Sequence, residues 1–238
     1  MPRARGFTLI ELLVVIAVIG LLAALVLPVI QSALVSAEKV SCANNIHQIA
    51  TVMMQYTAAS KGYYPDLCQS NELLGGATNW NMPNFCYNLP FMEQLNALGR
   101  DVLFCPANEN REWHILLGYT WGKQYALGYN LWGGRSWPAY PQQVGEHIAR
   151  AKPSHGSPSA ILLSDQVRLW DGTWLRSGYH INNHLADADY APSGGHAARV
   201  DGSVGWTSAT DLDWEIYYKN IPSNPYDRDW VFCVGFTR

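Results

Sequence analysis

Phe7-Thr8-Leu9-Ile10-Glu11-Leu12-Leu13-Val14-Val15-Ile16-Ala17-Val18-Ile19-Gly20-Leu21-Leu22-Ala23-Ala24-Leu25-Val26-Leu27-Pro28-Val29-Ile30 is the stretch on which the reading of this chain turns. Its only charge is Glu11; Thr8, Gly20 and Pro28 are its other interruptions. As a helix, 24 residues reach about 36 Å, enough to cross a hydrocarbon core about 30 Å thick. Arg3 and Arg5 precede the stretch and no cluster of positive charge follows it. The positive-inside rule then predicts one pass through the inner, cytoplasmic membrane, with the N-terminus cytoplasmic and everything after residue 30 outside. An ordinary secretory signal is disfavoured, because the apolar run is too long and no small-x-small cleavage pattern stands before a polar segment. A plain signal anchor leaves Glu11 unexplained, since a lone carboxylate inside a membrane helix costs about 3 kcal/mol and usually serves a function.

The rest of the composition narrows the classes. The 238 residues carry a formal net charge of −3, and outside the first five positions the basic residues do not cluster, so nothing points to a nucleic-acid surface. Charged residues are sparse at 15 %, whereas ten Trp and thirteen Tyr suit a loop-rich extracytoplasmic domain. Cys42, Cys68, Cys86, Cys105 and Cys233 contain no C-x-x-C pair, which disfavours a zinc knuckle.

From Arg5 to Val15 the sequence RGFTLIELLVV resembles the processing site of type IV prepilins and type II secretion pseudopilins. The resemblance implies cleavage after Gly6 by a prepilin peptidase, methylation of the new N-terminal residue Phe7, and an assembly role for Glu11, the fifth mature residue. A glycine suits such a site, because a peptidase must draw the backbone close. In assembled filaments of this family the carboxylate pairs with the N-terminal ammonium of a neighbouring subunit, each relieving the other's desolvation. Pro28, the twenty-second mature residue, also matches the family, and it removes one helical hydrogen bond. The partners implied are the peptidase, other pilin or pseudopilin subunits and the inner membrane.

Beyond Pro28 the helical signal continues. Leu34, Ala37, Ile46, Ile49, Ala50, Met53 and Thr57 recur at three- and four-residue steps, until Gly62 and Pro65 supply stop signals. Cys42-Ala43-Asn44-Asn45-Ile46-His47-Gln48 resembles the C-x-NN-x-x-Q stretch of a large pseudopilin subfamily with a C-terminal H-X9-DG signature. Phe104-Cys105-Pro106, Gly128-Tyr129-Asn130 and Gly194-Gly195…Asp201-Gly202-Ser203-Val204 are further matches. The chain departs from the signature itself: Ala191 stands ten before Asp201, and the nearest histidines are His184 and His196. The layout expected is a leader at 1–6, a transmembrane and assembly helix at 7–30, the soluble half of the same helix at 31–61, and a pilin-like globular domain at 62–238. The fold class is α+β, a long N-terminal helix packed on a small antiparallel sheet with loop-rich elaborations. Further elements expected are a short helix at Phe91–Leu98, strands at Val102–Cys105, Tyr125–Leu131 and Ala160–Asp165, and a hairpin from Gly194 to Trp206. Asp201-Gly202 is read as its two-residue type I′ turn.

Several constellations admit a site. His180 and His184 have helical metal-ligand spacing but lack the general-base glutamate of zinc proteases, and they also read as surface histidines. Asp187, Asp189 and Asp201 are candidate Ca²⁺ ligands, in a stretch that also reads as a solvated acidic loop. Cys68 and Cys86 are the preferred disulfide pair, with 17 residues between them. Closing that loop would contribute about 3 kcal/mol in an oxidising compartment. The aromatic run through Tyr119, Trp121, Tyr125, Tyr129, Trp132, Trp137 and Tyr140 fits core packing, with a glycan-stacking surface as the rival. No nucleophile triad, P-loop or dinucleotide fingerprint sits in its required context. The sequence therefore reads as a non-enzymatic structural subunit, a pseudopilin or minor pilin. Its rivals are a filament-displayed or membrane-anchored glycan-binding domain and a membrane-anchored metal-dependent hydrolase.

Overall fold

The computed structural model describes residues 8–65, 67, 85–86, 89–108, 120–121, 124–133, 157–170, 183–186, 191–220 and 230–236. The chain divides into two compact units, Met1–Val40 and Ser41–Arg238. Helix α1, Leu9–Ala59, has Pro28 inside it and runs on past it. One lost hydrogen bond does not end a helix when long apolar turns stand on both sides. Every residue from Thr8 to Ala37 is exposed, including the large apolar side chains of Leu9, Ile16 and Leu25. Leu34 and Ala37, expected on the core face, are therefore exposed as well.

The buried stripe of α1 begins at Cys42 and continues through Ile46, Ile49, Ala50, Val52, Met53 and Thr57. This is the three- and four-residue spacing of one helix face. The helix ends with Lys61 at φ 56° and Gly62 at φ 79°, and the Gly62 N–H bonds Thr57 O at 2.8 Å. That six-residue closure puts Lys61, rather than the glycine, at the first left-handed position.

In chain order the remaining elements are β1 (Phe85–Cys86), α2 (Leu89–Asn96), a 3₁₀ turn (Arg100–Leu103), β2 (Thr120–Trp121), β3 (Gln124–Ala126), β4 (Tyr129–Leu131) and β5 (Ile161–Asp165). They are followed by β6 (Arg168–Trp170), β7 (Gly194–Arg199), β8 (Val204–Ser208), β9 (Asp213–Asn220) and β10 (Trp230–Gly235). The central antiparallel sheet has the order β4-β5-β7-β8, and β6-β10-β9 and β1-β3-β2 form two smaller sheets. All five residues of β5 are buried, as its continuous apolar run demands. Leu162, Leu163, Tyr129, Leu131 and Ala198 from the central sheet join Ile46, Ile49 and Met53 of α1 in one core. The α+β layout expected from the sequence is the one observed.

Local expectations fare unevenly. The short helix appears as α2, two residues early. Val102–Cys105 is not a strand: Val102 and Leu103 belong to the 3₁₀ turn, whose exit residue Phe104 is extended. Tyr125–Leu131 splits into β3 and β4 at Leu127-Gly128, where Gly128 N–H bonds Leu103 O at 2.9 Å. The β7–β8 hairpin is in place, but its turn is not type I′. Gly202 alone of the turn residues has positive φ, and its N–H bonds Arg199 O at 3.0 Å while Arg199 N–H bonds Ser203 O at 2.9 Å. This is a three-residue loop, a type I turn closed by a left-handed glycine. It leaves the Val200 and Asp201 N–H groups free to bond Ala160 O and Pro158 O, both at 3.0 Å. Strands β9 and β10 were not expected, since Tyr217-Tyr218 breaks the alternation in Asp213–Asn220.

Two glycines separate steric need from conformational need. A Cβ at Gly194 (φ 148°) would lie 2.3 Å from Thr207 O and 2.6 Å from Trp206 Cζ2, whereas one at Gly202 (φ 85°) meets nothing within 4 Å. Gly194→Ala should cost about 3 kcal/mol or more and Gly202→Ala about 1 kcal/mol. Urea unfolding of the detergent-solubilised full chain measures both, and equal losses would contradict the assignment.

Candidate functional site

Two places carry the chemistry. The first is the start of α1. Thr8 N donates to Glu11 Oε2 at 2.8 Å, Thr8 Oγ1 donates to the same oxygen at 2.7 Å, and Glu11 N bonds Thr8 Oγ1 at 3.3 Å. Thr8 and Glu11 thus form a reciprocal capping box, satisfying two backbone donors that the first helical turn leaves without partners. The sequence pattern T-x-x-E ahead of an apolar run carries that signal, and Glu11 has a local partner before any second subunit is considered. Gly6 and Phe7 lie outside the described residues.

The second place is a buried polar cluster in the unit Ser41–Arg238. Cys42 from α1, Asp165 at the end of β5, His196 in β7 and His184 in the segment 183–186 converge, with one ligand-type atom from each within 4.8 Å of all the others. Asp165 is the hub and has no solvent exposure. Its Oδ1 accepts from Asn183 Nδ2 at 2.8 Å and from the Cys42 thiol at 3.1 Å. Its Oδ2 accepts from the His196 backbone N–H at 2.8 Å and lies 3.1 Å from His196 Nδ1 and 3.3 Å from His184 Nε2. Cys105 Sγ stands 3.5 Å from His184 Nε2, and the Tyr129 hydroxyl 3.7 Å from Cys42 Sγ. Trp206 packs edge-on against both imidazoles, with centroids 5.1 Å from His184 and 4.8 Å from His196.

The local fold explains the placement. The β5–β7 ladder pairs Ser164 with Ala197, so Asp165 and His196 are the next residues along, and the carboxylate takes over the His196 N–H. His184 sits at φ 53°, a costly conformation for a non-glycine residue. It is held there because Ser193 donates to its carbonyl through both N–H (2.6 Å) and Oγ (2.8 Å). Asn183 is clamped in turn, donating also to Gly128 O at 3.0 Å and accepting from Asn108 Nδ2 at 2.9 Å.

Burial opposes ionisation of Asp165, but the charge and hydrogen bond of His184 and the hydrogen bond of His196 outweigh it. Its carboxyl is held well below the usual carboxylate range. Burial likewise disfavours charge on His184, and the Asp165 hydrogen bond and charge overcome it, lifting the imidazole to about 10. Burial, then the hydrogen bond that Cys42 donates to Cys105, pushes the Cys42 thiol up.

The scattered matches to the pseudopilin subfamily meet at this cluster: Cys42, Cys105, Tyr129 and the β7–β8 hairpin each contribute a wall. Asn45 of the same helical stretch reaches Phe104 O at 3.4 Å. Tyr129 and Trp132 of the aromatic run are fully buried, which fits core packing; Tyr119, Trp137 and Tyr140 lie outside the described residues.

His184, read on the sequence as a surface histidine, is buried; its proposed companion His180 lies outside the described residues. Asp201 is exposed and accepts from Ser203 N–H at 2.9 Å, in the hairpin loop rather than the cluster. Asp187 and Asp189 lie outside the described residues. So does Cys68, while Cys86 is buried. Sequence reasoning missed Asp165 and passed over His196. The available signal was a charged residue closing the apolar run Ile161-Leu162-Leu163-Ser164-Asp165.

Residues 1–27 match the model of the prokaryotic N-terminal methylation motif. No curated protein and no solved structure gives a significant match to the chain.

Asp165→Asn keeps the shape of the hub but removes its charge and turns a donor toward groups that now donate. Leaving buried partners of an ion pair uncompensated costs about 3 kcal/mol. Equilibrium unfolding of the full chain in detergent should show that loss, and a change under about 1 kcal/mol would show that the cluster does not depend on the charge.

Proposed function

This chain belongs with the prepilin-type proteins by the N-terminal methylation motif over residues 1–27, and from that premise we propose that it is a pilin or pseudopilin subunit, cleaved after Gly6, methylated on Phe7 and assembled into a type IV pilus or a type II secretion pseudopilus. The observation that carries the reading is the coupling of that motif to α1. The most apolar stretch of this helix has a mean hydropathy of 3.2 and is wholly exposed within the chain. Apolar surface of that extent is stable only in lipid or against other helices of its kind, and both states belong to the life of such a subunit. In this reading the same helix is the membrane anchor, and its outer part supplies the core stripe of the globular domain from Cys42 onward.

Processing is tested directly. The mature chain should begin with N-methyl-Phe7 and lose Arg3 and Arg5, taking formal side-chain charge from −3 to −5, with 14 basic groups against 19 acidic. Mass spectrometry that finds only an unprocessed Met1 or Pro2 terminus in peptidase-containing cells would refute it.

In this reading the Glu11 carboxylate receives the Phe7 ammonium of an adjacent subunit, and the capping box provides a way to separate that role from the local one. Glutamine preserves the cap but carries no charge, so Glu11→Gln keeps the start of α1 while Glu11→Leu loses cap and charge together. Both variants should be cleaved normally, and both should lose filament yield in shearing or crosslinking assays, because the ammonium would be buried alone. Wild-type yield from Glu11→Gln beside a loss from Glu11→Leu would assign Glu11 to capping only.

A further inference from the structure

We propose that Cys42, Asp165, His184 and His196 bind one structural Zn²⁺ ion, which fastens the core-facing part of α1 to the central sheet. The donor set is one thiolate sulfur, two imidazole nitrogens and one carboxylate oxygen, drawn from a helix, two strands and a loop far apart in sequence. That mixture suits a borderline-soft cation and is wrong for Ca²⁺ or Mg²⁺, which take oxygen ligands.

The spacing agrees. Bonds of about 2.0–2.3 Å in tetrahedral geometry place neighbouring ligand atoms about 3.3–3.8 Å apart. Here His196 Nδ1 and His184 Nε2 lie 3.1 and 3.3 Å from Asp165 Oδ2, Cys42 Sγ lies 3.1 Å from the other oxygen of the same carboxylate, and one ligand atom from each of the four residues lies within 4.8 Å of the rest. The two imidazole edges are already near coordination length, and small shifts of the carboxylate and the Cys42 side chain admit the ion.

Charge agrees as well. A dication with one thiolate, one carboxylate and two neutral imidazoles is neutral, which is the condition for placing ions where all four side chains are shielded from water. Oδ2 of Asp165 is otherwise asked to accept from three nitrogens at once, two of them imidazoles approaching from different elements. An ion at that convergence gives each imidazole its own bond.

The outer shell is in place too. Asn183 Nδ2 fixes the carboxylate through Oδ1, the left-handed turn at His184 is held by Ser193, and Trp206 walls both rings from solvent. Cys105 lies against His184 and beside Cys42, as a neighbour of the site rather than a ligand. Burial leaves no open coordination position facing a substrate, so the role is structural.

The test uses the full chain purified in detergent. Metal analysis by mass spectrometry should find about one zinc per chain. Exchange for Co²⁺ should give the intense visible bands of a tetrahedral site and a thiolate-to-cobalt charge-transfer band. Cys42→Ser should remove the charge-transfer band and reduce zinc retention against a competing chelator at least about tenfold, whereas Cys105→Ser should keep both. Because Cys42→Ser could unfold the chain, the cobalt spectrum of the wild type stands as an independent readout. Trace zinc with no tetrahedral cobalt spectrum would overturn the proposal, as would a Cys42–Cys105 disulfide found by peptide mapping or a charge-transfer band lost only in Cys105→Ser.

Discussion

A carboxylate with no access to water organises the globular unit. Asp165 ends a strand buried at all five positions, and the elements around it are arranged so that helix α1, strand β7 and the segment 183–186 each deliver a donor to it. An isolated buried carboxylate is among the most expensive things a fold can contain, so the geometry that relieves it is tightly constrained. The constraint reaches outward. His184 accepts a left-handed backbone, Gly194 must lack a Cβ for β7 to lie against β8, and Gly128 must let the chain pass within contact of Phe104. His184 is itself a partner of the hub, Gly194 stands two residues from His196, and the Gly128 carbonyl accepts from Asn183.

Helix α1 shows the opposite economy. Over its first thirty or so positions it has apolar side chains on every face and one charge, whereas from Cys42 onward its apolar residues follow a single stripe. The first pattern belongs to a helix whose solvent is lipid or like helices, and the second to a helix with one face on a core. No break in the sequence marks the change, because backbone propensity is the same in both regions and only the width of the apolar face differs. The domain core is built on the second region, through Ile46, Ile49 and Met53 against Leu162, Leu163 and Tyr129.

What could be read from the sequence followed from how local each signal is. The long apolar helix, the stripe from Ile46 to Thr57, strand β5 and the β7–β8 hairpin rest on patterns in contiguous sequence, and they are present. The turn type in that hairpin was misread because Asp-Gly fits two geometries. The choice fell to the Val200 and Asp201 N–H groups, which reach across to residues 158 and 160. Val102–Cys105 has strand-like residues, but Val102 and Leu103 are wound into a 3₁₀ turn whose carbonyl at Leu103 anchors Gly128. The cluster was illegible for a stronger reason. Its members are separated by up to 154 positions, and none has a sequence neighbour at ligand spacing that belongs to the site. Short-range motif reading drew His184 toward His180, when its true companions lie in β5 and β7.

The two notable carboxylates of the chain are resolved in different ways, and the difference bears on function. Asp165 gathers imidazoles, an amide and a thiol from its own chain, so the described partners of the hub all come from within the globular unit. Glu11 receives two hydrogen bonds from Thr8, which satisfy the first turn of α1, yet it is the only charged residue between Phe7 and Ala37. Hydrogen bonds from a neutral threonine lower the cost of the charge without cancelling it, and in an apolar surrounding the remainder is substantial. In the proposed reading a cation at the same depth comes from the chain's own processed terminus or from that of a neighbour. The carboxylate left with that deficit is therefore at the end that carries the methylation motif. In the proposed reading that is where a filament subunit has reason to need a neighbour's charge.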